Sequence, residues 1–169
     1  MPLNEPLAYW ILVCLAMGFG ATLAIDVWAQ LLKYSAGIPP TDWGLVGRWF
    51  SGLPRGRFRL QAGQATSSTA RERHIGWTAH YAIGISYAFI YIGFAQMTSM
   101  PVSLPSALAF GLATVLAPWL ILLPGLGKGW FAKNTPNPSL TRFLNIVVHL
   151  LFGAGLYLVW HFANTPHLF

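Results

Sequence analysis

Apolar residues gather into four long runs along this chain, and charged residues gather between the runs. The apolar stretches cover roughly 8–32, 75–97, 105–123 and 143–163, and none has Lys or Arg in its interior. Each holds about the 20 residues a helix needs to cross the hydrocarbon core of a bilayer. Lipid offers the backbone no hydrogen-bond partner, so all four are predicted to be helices. Pro101 and Pro105 punctuate a short turn between the second and third. Pro124, Gly125, Gly127 and Gly129 close the third, and Pro136 and Pro138 precede the fourth, with Ser139 or Thr141 as its expected N-cap. The expected fold is all-α: a polytopic membrane protein, one domain over 1–169, built as a four-transmembrane-helix bundle.

Composition narrows the class. The 169 residues are 55% hydrophobic and 8% charged. A soluble domain carries roughly a quarter charged residues, so too few are present here to cover a wet surface. That excludes an ordinary cytosolic enzyme, a disordered chain and a disulfide scaffold. Cys14 is the single cysteine and cannot form an internal disulfide. The first six residues carry no basic side chain, so the first run is expected to be a retained helix and not a signal peptide.

The net charge is +6. The ten basic residues are Lys33, Arg48, Arg55, Arg57, Arg59, Arg71, Arg73, Lys128, Lys133 and Arg142. They lie in or beside two segments, 33–73 and 128–142. Basic residues confined to alternate loops orient membrane helices, which puts loops 33–74 and 124–142 in the cytoplasm and both termini outside (N-out/C-out). The same distribution argues against nucleic acid and makes anionic lipid headgroups the expected partner. The expected location is a bacterial inner membrane, crossed several times.

The first cytoplasmic loop, 33–74, is long for a bundle connection. It mixes Trp43, Trp49, Phe50, Leu53 and Phe58 with Arg48, Arg55, Arg57, Arg59, Arg71 and Arg73. Arg suits bidentate contact with phosphate or carboxylate. One reading is an amphipathic segment that lies on the membrane and grips anionic headgroups through those six arginines. The other, which is favoured, is an ordinary positive-inside loop with an aromatic belt. Residues 61–70 are small and polar, and are expected to be flexible.

Polar residues inside a membrane helix are costly, so their placement is informative. Gly18, Thr22, Asp26 and Gln30 recur every four residues in the first run, Gly76, His80, Gly84 and Ala88 in the second, and Asn145, His149 and Gly153 in the fourth. Residues four apart share a helix face, and small residues let helix backbones approach closely. The stripes should therefore face one another. Asp26 lies seven residues before Lys33, His80 seven after Arg73, and His149 seven after Arg142. Each is thus roughly 10 Å inside the basic rim. Pro118 of the third run falls near this level and can free a carbonyl.

Asp26, His80 and His149 are the candidate centre, with Thr22, Gln30 and Asn145 as supporting donors. One Asp and two His have the ligand types of a transition-metal site. Two His on separate helices could hold a haem axially. The same groups could relay protons. A hydrogen bond from Asp26 that merely locks the helices is the structural alternative. The leading functional expectation is binding or transport of a small ligand, ion or proton. The alternatives are a membrane-embedded metal- or haem-dependent enzyme and a structural subunit of a membrane complex. Four spans enclose a narrow path, so a transporter is expected to form a homo-oligomer or join a larger complex.

Several motifs together resemble a known family. They are Gly20-Ala21-Thr22 with Asp26 and Trp28, Gly47-Arg48-Trp49, Gly76-Trp77-x-x-His80-Tyr81-x-Ile83-Gly84, Ala117-Pro118, Pro124-Gly125-x-Gly127-x-Gly129, Thr135-Pro136-x-Pro138 and His149-x-x-Phe152-Gly153-x-Gly155-Leu156-Tyr157. The combination resembles the bacterial integral membrane family called domain of unknown function 2938, over nearly the whole chain. The resemblance implies four membrane helices in a bacterial inner membrane and no particular activity. It also implies a His shortly after the Gly-x-Phe of the first loop. Here Gly56-Arg57-Phe58 is followed by Arg59-Leu60-Gln61, so a site that needs that His is in doubt.

Overall fold

A computed structural model of the chain describes residues 6–60 and 67–164. Among them there are helices and turns and no strand. Helix α1 is Leu7–Ala36, α2 is Trp43–Gly52, α3 is Ala70–Met97, α4 is Leu104–Gly125 and α5 is Pro138–Asn164. Of the stretch 61–70 expected to be flexible, residues 61–66 lie outside the described residues.

Three of these helices, α1, α4 and α5, are long and apolar enough to cross a membrane. This is a membrane protein by that measure. Helix α3, the second of the four predicted spans, is long enough but falls short in composition. Its run is continuous only if Gly76, His80, Gly84, Tyr81, Tyr87 and Tyr91 count as apolar, and these residues lower its average well below that of its neighbours.

The helix ends differ from expectation because of caps. Helix α5 begins at Pro138, whose missing N–H costs nothing in a first turn. The Asn137 side chain, and not Ser139 or Thr141, caps it by accepting from the Leu140 N–H at 3.0 Å. Helix α3 begins five residues before the predicted 75 through a capping box. The Thr69 hydroxyl accepts from the Glu72 N–H at 3.2 Å, and the Glu72 carboxylate accepts from the Thr69 N–H at 2.8 Å. Within α4, Pro118 cannot supply an N–H, and the stretch Pro118–Leu122 widens into a π-helix.

The described residues form two compact units. Unit A comprises residues 6–28, 81–112 and 148–164; unit B comprises 29–60, 67–80 and 113–147. The core of unit A is Val13, Cys14, Met17, Ala21, Ala88, Tyr91, Ile92, Ala107, Phe152, Leu156 and Trp160. Small residues let its helices touch backbone to backbone. A Cβ on Gly18 would strike Gly84 and Ile85, one on Gly155 would strike Ala21, and one on Gly153 would strike Ala107. The predicted small-residue stripes of α1, α3 and α5 are thus in use as contact faces. Outside this core, Leu12, Phe19, Leu23, Ile90, Phe94, Leu112 and Phe162 are exposed.

Unit B is built differently. Loop 33–74 contains α2, whose buried face (Gly44, Val46, Gly47 and Trp49) is covered within the chain. The Asp42 side chain caps α2 by accepting from the Leu45 N–H at 3.1 Å. Gly47 lies against the Glu72 carbonyl, and Gly76 against the Trp43 carbonyl. A side chain at either position would drive α2 off the first turns of α3.

Candidate functional site

Asp26 is half-buried on α1. Its carboxylate accepts a hydrogen bond from the Tyr81 hydroxyl at 2.9 Å. The Tyr81 ring rests against Phe19 at 5.1 Å between centroids. One turn earlier, the buried Thr22 hydroxyl donates to the Gly18 carbonyl of its own helix at 2.7 Å. That bond satisfies the hydroxyl locally, and Gly84 packs directly over it. His149, half-buried on α5, hydrogen-bonds the Gly111 backbone. Asp26, Tyr81, Thr22 and His149 all belong to unit A.

His80 belongs to unit B. Its ring is stacked on Trp43 at 3.8 Å with 25° between planes, and Trp77 meets it edge-on at 5.9 Å. Gln30 is exposed on α1, and Asn145 is half-buried on α5. Among the described residues, no group of three or more His, Cys, Asp or Glu could hold a metal ion. The metal reading of Asp26, His80 and His149 therefore gains nothing from the structure.

The arginines of the first loop divide. Arg48 gives its guanidinium to Glu72: Nε to Oε1 at 2.8 Å and a second nitrogen to Oε2 at 3.1 Å. It also donates to the Ser67 carbonyl at 3.2 Å. Expected at lipid headgroups, Arg48 holds an internal carboxylate. The Arg48 guanidinium and the Thr69 N–H pull the Glu72 carboxyl down to about 2. Arg55, Arg57, Arg59, Arg71 and Arg73 are exposed.

The sequence profile of the family described as protein of unknown function (DUF2938) matches residues 15–162. The chain belongs to this family. No curated protein and no solved structure matches it. The motifs that suggested DUF2938 have structural tasks here. Gly76 makes room for α2, and Trp43 and Trp77 flank the motif His80. In the glycine run, Gly125 lies under the Trp49 ring, while Gly127 and Gly129 take φ of 79° and 75°. Those are left-handed conformations that suit glycine.

Four residues escaped the sequence reasoning. Tyr81 stands beside His80 in the sequence, but inside an apolar run a tyrosine gives no sign that its hydroxyl meets a carboxylate. Glu72 carried a readable signal, the Thr69-x-x-Glu72 spacing of a capping box. Trp43 and Trp77 carried none that separates stacking on His80 from an ordinary aromatic belt.

Proposed function

We propose that this is a multi-pass protein of a bacterial inner membrane in which α1, α3, α4 and α5 all span, with both termini outside. Its activity is the binding or passage of a proton or small cation at the Asp26–Tyr81 pair. The observation that carries this reading is the 2.9 Å bond from the Tyr81 hydroxyl to a carboxylate in an apolar helix. A carboxylate in a membrane helix is costly, and such groups mark ion and proton paths. Asp26 is half-buried within the chain. It lies seven residues from Lys33, about 10 Å inside the basic rim. His149, in the same unit, is the second titratable group assigned to the path. The outward Ile83, Phe89, Ile90 and Phe94 of α3 support its role as a fourth span despite its lower average hydropathy.

The same bond favours a second reading, in which Asp26 and Tyr81 only lock α1 to α3 as part of a larger membrane complex. Purified protein reconstituted in vesicles separates the two. A pH or potassium gradient is imposed, and the internal pH is followed with a trapped dye. In the first reading Asp26→Asn abolishes the flux with the melting temperature held, and Asp26→Glu retains part of it. A lock predicts a lower melting temperature in Asp26→Asn and no protein-dependent flux in the parent.

A further inference from the structure

The sequence has four acidic residues, Glu5, Asp26, Asp42 and Glu72. Asp26 accepts from Tyr81, Asp42 caps α2, and Glu72 holds Arg48. The chain has few carboxylates left for its other cations. Four of these cations fall on two segments that the structure joins. Segment 57–60 carries Arg57 and Arg59, and the turn after α4 carries Lys128 and Lys133, all four exposed. The Leu60 N–H donates to the Gly125 carbonyl at 2.7 Å. The Trp49 indole, packed on Gly125, donates to the Phe58 carbonyl at 2.9 Å. Trp49 thereby ties both segments together from beneath.

The turn 126–135 is closed by a set of hydrogen bonds. The Asn134 N–H donates to the Lys128 carbonyl at 2.9 Å, and the Thr135 hydroxyl donates to the Ala132 carbonyl at 2.7 Å. The Arg142 Nε donates to the Phe131 carbonyl at 2.9 Å. These bonds hold Phe131 and Ala132 at φ of 52° and 60°. A bulky residue rarely adopts that conformation, and such strain persists where its surroundings over-determine it. The result is that Trp130 stays 57% exposed and Phe131 41% exposed beside two lysines, with Phe58 71% exposed beside two arginines.

We propose that Arg57, Arg59, Lys128 and Lys133, with Phe58, Trp130 and Phe131, form one docking surface for anionic phospholipid. The cations read the headgroup phosphates and the rings enter the headgroup layer. Exposed aromatics argue for a bilayer surface and against a soluble anion, because an aqueous phosphate gives them nothing to bury. The surface includes Lys128 and Lys133 and leaves out Arg48, which Glu72 occupies.

The test uses the full chain in nanodiscs of phosphatidylcholine doped with a fluorescent phosphatidylglycerol, with quenching by protein tryptophan as the readout. The parent should prefer phosphatidylglycerol over an equally labelled phosphatidylcholine. The double variants Arg57→Gln/Arg59→Gln and Lys128→Gln/Lys133→Gln should each weaken that preference by roughly fivefold per charge removed. Arg71→Gln/Arg73→Gln, equal in charge but on α3, should leave it nearly intact. The proposal is overturned by a parent with no preference, by equal losses in all three double variants, or by competition from millimolar inorganic phosphate at constant ionic strength. The substituted side chains are exposed, so folding should be retained. A melting temperature checks this, and Phe58→Ala gives a fourth variant, expected to weaken binding without changing the charge or the tryptophans that report it.

Discussion

Unit A and unit B are each stabilised internally, and by different means. Unit A has almost no charge, and its helices meet through glycine and alanine, backbone against backbone, with large apolar side chains turned outward. That is the packing expected where lipid tails are as apolar as leucine and burial alone does not drive helices together. Unit B carries the caps of α2, α3 and α5, the left-handed glycine turns and the Arg48–Glu72 ion pair. There the chain is fixed by directional hydrogen bonds at helix ends. The lesson is that the polar groups of unit B stabilise, whereas the single carboxylate of unit A stands where stability alone would favour an apolar residue.

The strongest way to break this contrast is to crowd the glycines. Gly76→Leu would place side-chain atoms into the Trp43 carbonyl. It should cost about 3 kcal/mol, near the upper end of overpacking effects, and should release α2. Gly18→Leu in unit A should cost as much but leave α2 in place. Thermal melts in detergent, with limited proteolysis of segment 37–60, tell the two apart: only the unit B variant should be cut faster.

Glu72→Gln should be the next largest, at about 1 to 2 kcal/mol, since it removes a capping carboxylate and a partly exposed ion pair. The pH dependence has a definite sign. The carboxyl is held at about 2 in the fold, against about 4.3 in an unfolded chain. Its contribution is therefore present above about pH 4.3 and is lost as pH falls toward 2. Melting temperatures between neutral and acidic pH should fall in the parent, and the part due to this residue should be missing in Glu72→Gln.

In unit A, Tyr81→Phe removes one hydrogen bond and should cost about 1 kcal/mol. Gln30→Ala should be the smallest change, within about 0.5 kcal/mol, because the side chain is exposed. A cost above that for Gln30→Ala would restore it to the centre where the four-residue spacing had put it.

Much of the fold was legible because lipid-crossing helices leave a coarse signal. The long helices lie where the apolar runs lie, and the stripe of Gly18, Thr22 and Gly84 is a true contact face. The spacing of a stripe shows which face is polar but not which partner each group meets. The four-residue spacing points Asp26 toward His80 and His149 but gives no hint of the Tyr81 hydroxyl that hydrogen-bonds it. Helix α2 was hidden because ten amphipathic residues in a basic loop look like an interface segment until Gly47 and Gly76 are seen in contact. The paired charge of Arg48 was hidden for a related reason: counting basic residues per loop ignores a carboxylate 24 positions away.

The central claim is that Asp26 takes up protons or cations instead of merely bonding Tyr81. Infrared difference spectra of the reconstituted chain, with its aspartates carbon-13 labelled, test it most directly. The expected result is an aspartate carboxyl band that shifts when the pH or the cation in the vesicle lumen is changed. That band should be absent in Asp26→Asn and moved in Tyr81→Phe. An Asp26 band that stays fixed under every imposed gradient, with Tyr81→Phe changing stability alone, would contradict the claim and leave the pair as a lock.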